Sequence, residues 1–139
     1  MSAGFIIDCS ITMSWCFRDE ATSMSSAVQD RLEKEAALVP AHWFLDVANV
    51  LAMAEKRRRI TPARSAEFLA LLGVMDIEVD SEAAERAFSE LLPLCRSHGL
   101  TSYDAAYLEL ALRRGLPLAC LDDDLRSAAR KLGVEVMGR

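Results

Sequence analysis

The chain has 139 residues, of which 52% are hydrophobic and 27% are charged, with a formal net charge of −5. This composition excludes an intrinsically disordered protein, and the length is typical of one domain that can bury its own core. No apolar run reaches the roughly 18 residues that a membrane span requires, and residues 1–4 lack the basic start and apolar core of a signal peptide. We therefore expect a single cytoplasmic domain over residues 1–139, with no membrane partner.

The first half of the chain predicts one buried strand followed by helices. Residues 5–7 form an apolar run that Asp8 ends, as in strands of a parallel sheet whose two faces are covered by helices. The hydrophobic pattern then predicts helices over residues 10–17, 19–37 and 41–59, with residues 38–40 as a short link. The third helix is apolar nearly all round, which predicts a buried helix.

The second half predicts alternating strands and helices. Helices are expected over residues 62–73, 81–97, 101–114 and 123–132. A half-exposed edge strand is expected over residues 75–79, a buried strand over 118–121 and a last short strand over 134–136. Strands joined by helical crossovers predict an α/β fold, a three-layer α/β/α sandwich with a central, mainly parallel sheet.

Acidic side chains follow both buried strands. Asp8 ends the first strand and Asp122 ends the later one. Because ligand sites of open α/β sheets lie outside the carboxyl ends of the strands, both acids are expected in one crevice. Asp122, Asp123 and Asp124 also have the position of a helix cap, so either role, or both, is open for them.

Two further acids lie in predicted helices, Asp104 at the start of one and Asp46 inside another. Asp104 comes three residues after Thr101, which is the spacing of a helix cap, so Asp104 either belongs to the cap, faces the crevice, or does both. Asp46 and Asn49 are the polar residues inside the third helix, and a spacing of three puts them on one side. A carboxylate there is costly unless a cation or a hydrogen-bond donor meets it, so Asp46 is either a site residue or half of a structural pair.

Four carboxylates in one crevice require cations. Without them, the charges repel and force proton uptake. Mg²⁺ and Mn²⁺ prefer carboxylate and water oxygens, and such sites commonly hold a phosphate as well. The chemistry that suits this arrangement is metal-assisted hydrolysis of a phosphodiester. The four cysteines and two histidines show no metal-binding spacing, and we expect neither metal binding nor catalysis from them.

Two basic blocks stand apart from the acids, at residues 56–59 and 113–114. Basic residues at a helix end usually complement the helix dipole. The other interpretation is a rim that contacts the phosphates of a nucleic acid around the acidic centre.

Four sequence blocks resemble the PIN domain, and more closely the VapC-type toxin ribonucleases of bacterial type II toxin–antitoxin systems. The blocks are Phe5-Ile6-Ile7-Asp8-Cys9-Ser10, the stretch from Pro40 to Leu51, Thr101-Ser102-Tyr103-Asp104-Ala105-Ala106-Tyr107, and Leu118-Ala119-Cys120-Leu121-Asp122. They occur in the order and at the chain length of that family, so the resemblance covers essentially the whole chain.

The resemblance implies a metal-dependent endoribonuclease that uses Mg²⁺ or Mn²⁺. The catalytic acids it implies are Asp8, Asp46, Asp104 and Asp122. The implied metal ligands are Asp8, Asp104, Asp122 and Asp124, where Asp122 and Asp124 compete for the fourth position. Ser10, Asn49 and Thr101 are implied to support them. Asp46 departs from the family, which usually has Glu there, so either direct contact with the metal or contact through water is open.

The resemblance also implies partners: an RNA substrate, a cognate antitoxin protein and a second copy of the chain in a homodimer. Met24, Val28, Leu45 and Met53 are apolar residues in predicted helices that either fill the domain's own core or face such partners. Two other functions stay open on the sequence. One is a haloacid-dehalogenase-like or receiver-like phosphotransfer domain, which needs a lysine near the later strand ends, and none lies between Lys56 and Lys131. The other is a non-catalytic nucleic-acid-binding module.

Overall fold

The computed structural model describes residues 3–138. Four strands form one sheet: β1 (Phe5–Ile7), β2 (Ala37–Pro40), β3 (Ile77–Asp80) and β4 (Leu118–Ala119). The helices are α1 (Cys9–Ser14), α2 (Ser23–Arg31), α3 (Trp43–Lys56), α4 (Pro62–Gly73), α5 (Leu92–His98), α6 (Ser102–Arg114) and α7 (Asp123–Lys131), with a 3₁₀ turn at Arg18–Glu20 and a π-helical turn at Ala87–Leu91.

All strand pairs are parallel, in the order β3-β2-β1-β4. A parallel pair needs a crossover, and every crossover here contains helices that cover the sheet. The three residues of β1 are fully buried, as are both residues of β4. The predicted α/β/α sandwich with a central parallel sheet is confirmed, and β3 is the edge strand that the alternating pattern of residues 75–79 predicted.

The prediction of a link at residues 38–40 is wrong, because Ala37–Pro40 forms strand β2 between β1 and β3. All four residues are buried. Pro40 is compatible with this strand because it is the last residue, beyond the final β1 pair at Leu38.

The helix predicted over residues 19–37 is much shorter than expected. Thr22 and Ser25 form a capping box that starts α2 at Ser23, and the chain between Phe17 and Thr22 contains a 3₁₀ turn instead. The helix predicted over residues 81–97 is also broken, into the π-helical turn and α5. Gly99 ends α5 with a positive φ of 67°, as its position predicted. The last predicted strand is reduced to a single bridge between Leu118 and Val136.

Helix α3 is buried along one stripe only, so the expectation of an all-round buried helix is wrong. Trp43, Val47, Leu51 and Ala54 face the core. Leu45 is 73% exposed and Phe44 is 53% exposed. The apolar residues of the opposite face therefore remain available to a partner. No helix in the described part of the chain combines the length and apolar character that a membrane crossing needs.

Candidate active site

Asp8 sits at the carboxyl end of β1 and starts helix α1. Its carboxylate accepts hydrogen bonds from the Ile11 N–H at 3.0 Å and from the Ser10 hydroxyl at 2.7 and 2.8 Å to its two oxygens. The Ser10 hydroxyl in turn accepts the Leu121 N–H at 2.9 Å. Ser10 therefore orients Asp8 and ties the end of β1 to the segment that follows β4.

Asp104 and Asp122 reach the same edge of the sheet from two helix starts. Thr101 caps α6 by accepting the Asp104 N–H at 3.1 Å, which is the capping role that the sequence predicted for Thr101. Asp122 caps α7 by accepting the Leu125 N–H at 2.8 Å. Asp104 is half-buried, whereas Asp122 and Asp124 are exposed.

The electrostatics of the site connect the four predicted acids. Burial raises the pKa of Asp8 to about 7, and the charges of Asp104 and Asp122 add to this effect, against the hydrogen bonds from Ile11 and Ser10. Burial also raises the pKa of Asp104, and the charges of Asp122 and Asp46 raise it further. Asp104 is therefore the acid that interacts with all three of the others, Asp8, Asp46 and Asp122. The charge that raises the pKa of Asp8 and of Asp104 comes from Asp122 and not from Asp124.

Asp46 is held by two residues that the sequence did not single out. The Tyr107 hydroxyl donates to Asp46 Oδ2 at 2.8 Å, and His42 Nε2 lies 3.4 Å from the same oxygen. His42 Nε2 also contacts the Tyr103 carbonyl oxygen at 3.0 Å, where it acts as the donor. The available signals were the spacings: Tyr107 follows Asp104 by three residues, and His42 precedes Asp46 by four.

Asn49 does not orient the acids through a hydrogen bond in the part of the chain that the structure describes. Its side chain lies on an exposed turn of α3. Asp46 is therefore positioned by Tyr107 of α6 and by His42 at the start of α3, and not by Asn49. Burial, with the charges of Asp46 and Asp8, raises the pKa of the Cys9 thiol beside the site to about 12.

One arginine of each basic block forms ion pairs within the domain. Arg59 binds Asp19 and Glu20 and stacks on the Phe17 ring at 3.9 Å. Arg113 is bidentate to Asp80, with both contacts at 2.9 Å. These two arginines stabilise the domain, which leaves the exposed residues 56–58 as the part of the first block that faces solvent.

The residues at this edge fit a hard divalent cation. Within residues 3–138, no Lys or Arg forms a salt bridge with Asp8, Asp104 or Asp122, so a buried carboxylate faces other carboxylates. Over the same range, no three His, Cys, Asp or Glu side chains form a ready metal cage. Mg²⁺ needs no such cage, because it commonly binds one or two carboxylates and keeps several waters.

Solved structures share this fold. A protein from Pyrobaculum aerophilum, PAE2754, is 19% identical with a TM-score of 0.68, and the match covers 94% of this chain and 86% of that chain. VapC20 of Mycobacterium tuberculosis, described as a sarcin-ricin loop cleaving toxin, is 15% identical with a TM-score of 0.65, over 97% of this chain and 100% of that chain.

A toxin–antitoxin complex from Klebsiella pneumoniae contains a chain that is 14% identical with a TM-score of 0.56, over 86% of this chain and 87% of that chain. No curated protein is significantly similar in sequence. The PIN domain family model matches residues 5–131, which extend from β1 to the end of α7. The chain therefore belongs to the PIN domain family.

Proposed function

We propose that this chain is a metal-dependent endoribonuclease and the toxin of a toxin–antitoxin pair. The observation that carries the proposal is the meeting of Asp8, Asp46, Asp104 and Asp122, from four separate segments, at one edge of the sheet. Structures with the same fold include a sarcin-ricin loop cleaving toxin and a toxin–antitoxin complex, and both support the proposal. The phosphotransfer alternative is excluded by membership of the PIN domain family.

Each residue of the site has a defined task in this proposal. Asp8, Asp104 and Asp122 supply the carboxylate oxygens that hold Mg²⁺ or Mn²⁺, with Asp124 as the competing fourth ligand. A divalent ion held by these residues would activate water for attack on the phosphodiester and would stabilise its leaving oxygen. Ser10 links Asp8 to the segment after β4, because its hydroxyl donates to the Asp8 carboxylate and accepts from the Leu121 N–H. The Thr101 cap fixes the first turn of α6 and so the position of Asp104.

Induced expression tests the RNase activity directly. We expect new RNA ends at defined positions in cells that express the wild-type chain, and none in cells that express Asp8→Asn at the same level. Mapping these ends by sequencing also identifies the RNA and the cleaved position. Identical RNA ends in both cultures would contradict the proposal and favour a non-catalytic nucleic-acid-binding module.

The exposed side of α3 suits a protein partner. A groove of about 350 Å³ lies between α3 and α4, with a lining that includes Phe44, Ala48 and Leu69. The helical repeat places Asp46 on one side of the buried stripe of α3, and Phe44 and Ala48 of the groove on the other side. Leu45 and Met53 are exposed on this helix, whereas Val28 belongs to the domain's own core, with 1% exposure.

We propose that an amphipathic segment of an antitoxin binds this groove. A basic residue of the same partner then reaches Asp8, Asp104 and Asp122, because an Arg fork can engage paired carboxylates. The homodimer stays a prediction, which sedimentation of the isolated chain tests.

The partner is expected to inhibit through that single basic residue. Its replacement by Ala should restore RNA cleavage in the complex while most of the binding survives, because the apolar contacts remain. Leu69→Glu in this chain should instead weaken the complex by about tenfold or more, since a charge then has to be buried in the groove. Cleavage rates and pull-downs on the same samples separate the two effects. An inactive complex after removal of every basic residue near the acids would argue against inhibition by charge.

A further inference from the structure

Among residues 3–138, the Asp46–Tyr107 contact is the one long-range side-chain hydrogen bond that reaches an acid of the site. The two residues lie 61 positions apart in the chain, on α3 and α6, and the hydroxyl-to-carboxylate distance is 2.8 Å. Tyr107 is 1% exposed, so its ring is fixed in the core, whereas the Asp46 side chain that accepts its hydroxyl is partly exposed at the edge of the site. A hydrogen bond to a carboxylate in such surroundings is strong and directional.

The surroundings of Tyr107 restrict where Asp46 can go. The His42 ring packs edge-on against the Tyr107 ring, with 5.0 Å between the ring centres. His42 also joins the start of α3 to the first turn of α6 through the Tyr103 carbonyl. The phenol is therefore held by the core on one side and by His42 on another, so it presents its hydroxyl at a fixed point.

The two oxygens of Asp46 are in different situations. Oδ2 accepts from Tyr107 and lies near His42. Oδ1 has no hydrogen-bond partner among residues 3–138. The charge of Asp46 acts on Asp104, so this carboxylate is close to the rest of the site. One oxygen is thus anchored and the other is free to meet a cation or a water bound to it.

We propose that Tyr107 is a positioning residue of the metal site, which anchors Asp46 through Oδ2 so that Oδ1 is presented to the metal or to its bound water. The inference rests on the proposed function, because it assigns Tyr107 a part in the same site. Tyr107 acts only through Asp46. Outer partners of metal ligands typically account for about 10–100-fold in metal affinity.

A double-mutant cycle tests whether Tyr107 acts on metal binding through Asp46. The variants are Tyr107→Phe, Asp46→Ala and their combination, and the measurement is the Mn²⁺ dissociation constant by calorimetry, well below the lowest melting temperature of the set. We expect Tyr107→Phe to weaken Mn²⁺ binding by about 10–100-fold in the wild-type background. In the Asp46→Ala background, the same substitution should change binding by less than about twofold, because the group it acts through is gone.

The chain's other tyrosine provides a matched control. Tyr103→Phe removes the same atom from the same helix, but Tyr103 is 62% exposed and its hydroxyl contacts no site acid in the described part of the chain. Its Mn²⁺ affinity should equal that of the wild type. Melting temperatures in the presence of a chelator show whether Tyr107→Phe acts through stability, an effect that would appear equally in both backgrounds of the cycle.

The outcomes separate the inference from the proposed function. Wild-type protein that binds Mn²⁺, together with an unchanged affinity in Tyr107→Phe, would overturn the role of Tyr107 and leave the nuclease proposal standing. An equal loss of affinity in both backgrounds would also overturn it, because Tyr107 would then act by packing. Wild-type protein without Mn²⁺ binding would overturn the nuclease proposal and this inference together.

Discussion

Asp8→Asn and Asp104→Asn are each expected to abolish RNA cleavage while the metal-free protein keeps or gains stability. Cleavage should fall by more than about a hundredfold, because each change removes a proposed metal ligand. The loss of a residue that only supports a ligand typically costs about 10–100-fold. Stability should not fall, because Asn replaces a carboxylate whose ionised form is disfavoured first by burial and then by the neighbouring carboxylates, the two causes that raise the pKa of both residues. Cleavage of a labelled RNA and thermal melting in a chelator measure the two effects.

Asp76→Asn is the matched control for these variants. Asp76 directly precedes β3, so it lies at the amino ends of the strands, whereas the site lies at their carboxyl ends. Its side chain is exposed. The same charge change there should leave cleavage intact. Wild-type cleavage rates in both Asp8→Asn and Asp104→Asn would remove these acids from the site.

The metal-free protein is expected to lose stability as the pH rises from about 4 to about 7. Burial raises the pKa of Asp8 to about 7 from an ordinary value of 3.8, so the folded state binds this proton more tightly than the unfolded state does. Stability then falls with pH across this window and is constant above it, as far as this group is concerned. A shift of about three pKa units corresponds to about 4 kcal/mol in the free energy of unfolding.

Two comparisons check the origin of this pH dependence. Asp8→Asn should flatten the profile, because Asn does not titrate. Mn²⁺ added above pH 7 should restore the stability of the wild type, since the metal binds the ionised carboxylates of the folded state. Denaturant unfolding from pH 4 to 8 provides the free energies. A wild-type profile that rises with pH over this range, and an unchanged slope in Asp8→Asn, would show that Asp8 is not the titrating group.

The sequence predicted that Asp8 and Asp122 come after buried strands, because an apolar run followed by an acid is a simple pattern. Asp8 and Asp122 each stop an apolar run, and parallel strands bring their carboxyl ends to one edge. Thr101 and Asp104 carried a spacing that predicted the cap seen in the structure. These features depend on neighbours in the chain, which is why local patterns were sufficient.

The features that the sequence did not predict depend on distant neighbours or on short segments. Strand β2 has four residues and ends in Pro40, so it offered too little pattern to separate a strand from a link. The bond between Asp46 and Tyr107 joins helices that only the folded chain brings together. The exposed side of α3 looked like core in sequence, because apolar residues at the surface have the same composition as buried ones.

The most direct test of the acidic metal site is diffraction from crystals grown with Mn²⁺ at pH 8, where Asp8 is ionised. Data collected at the manganese absorption edge locate the ion without reference to any assumed site. We predict an anomalous difference peak among Asp8, Asp104 and Asp122 in the wild type, and its loss in Asp8→Asn. A crystal with no peak at this edge of the sheet, or with the same peak in Asp8→Asn, would contradict the assignment of these carboxylates to a metal-dependent nuclease site.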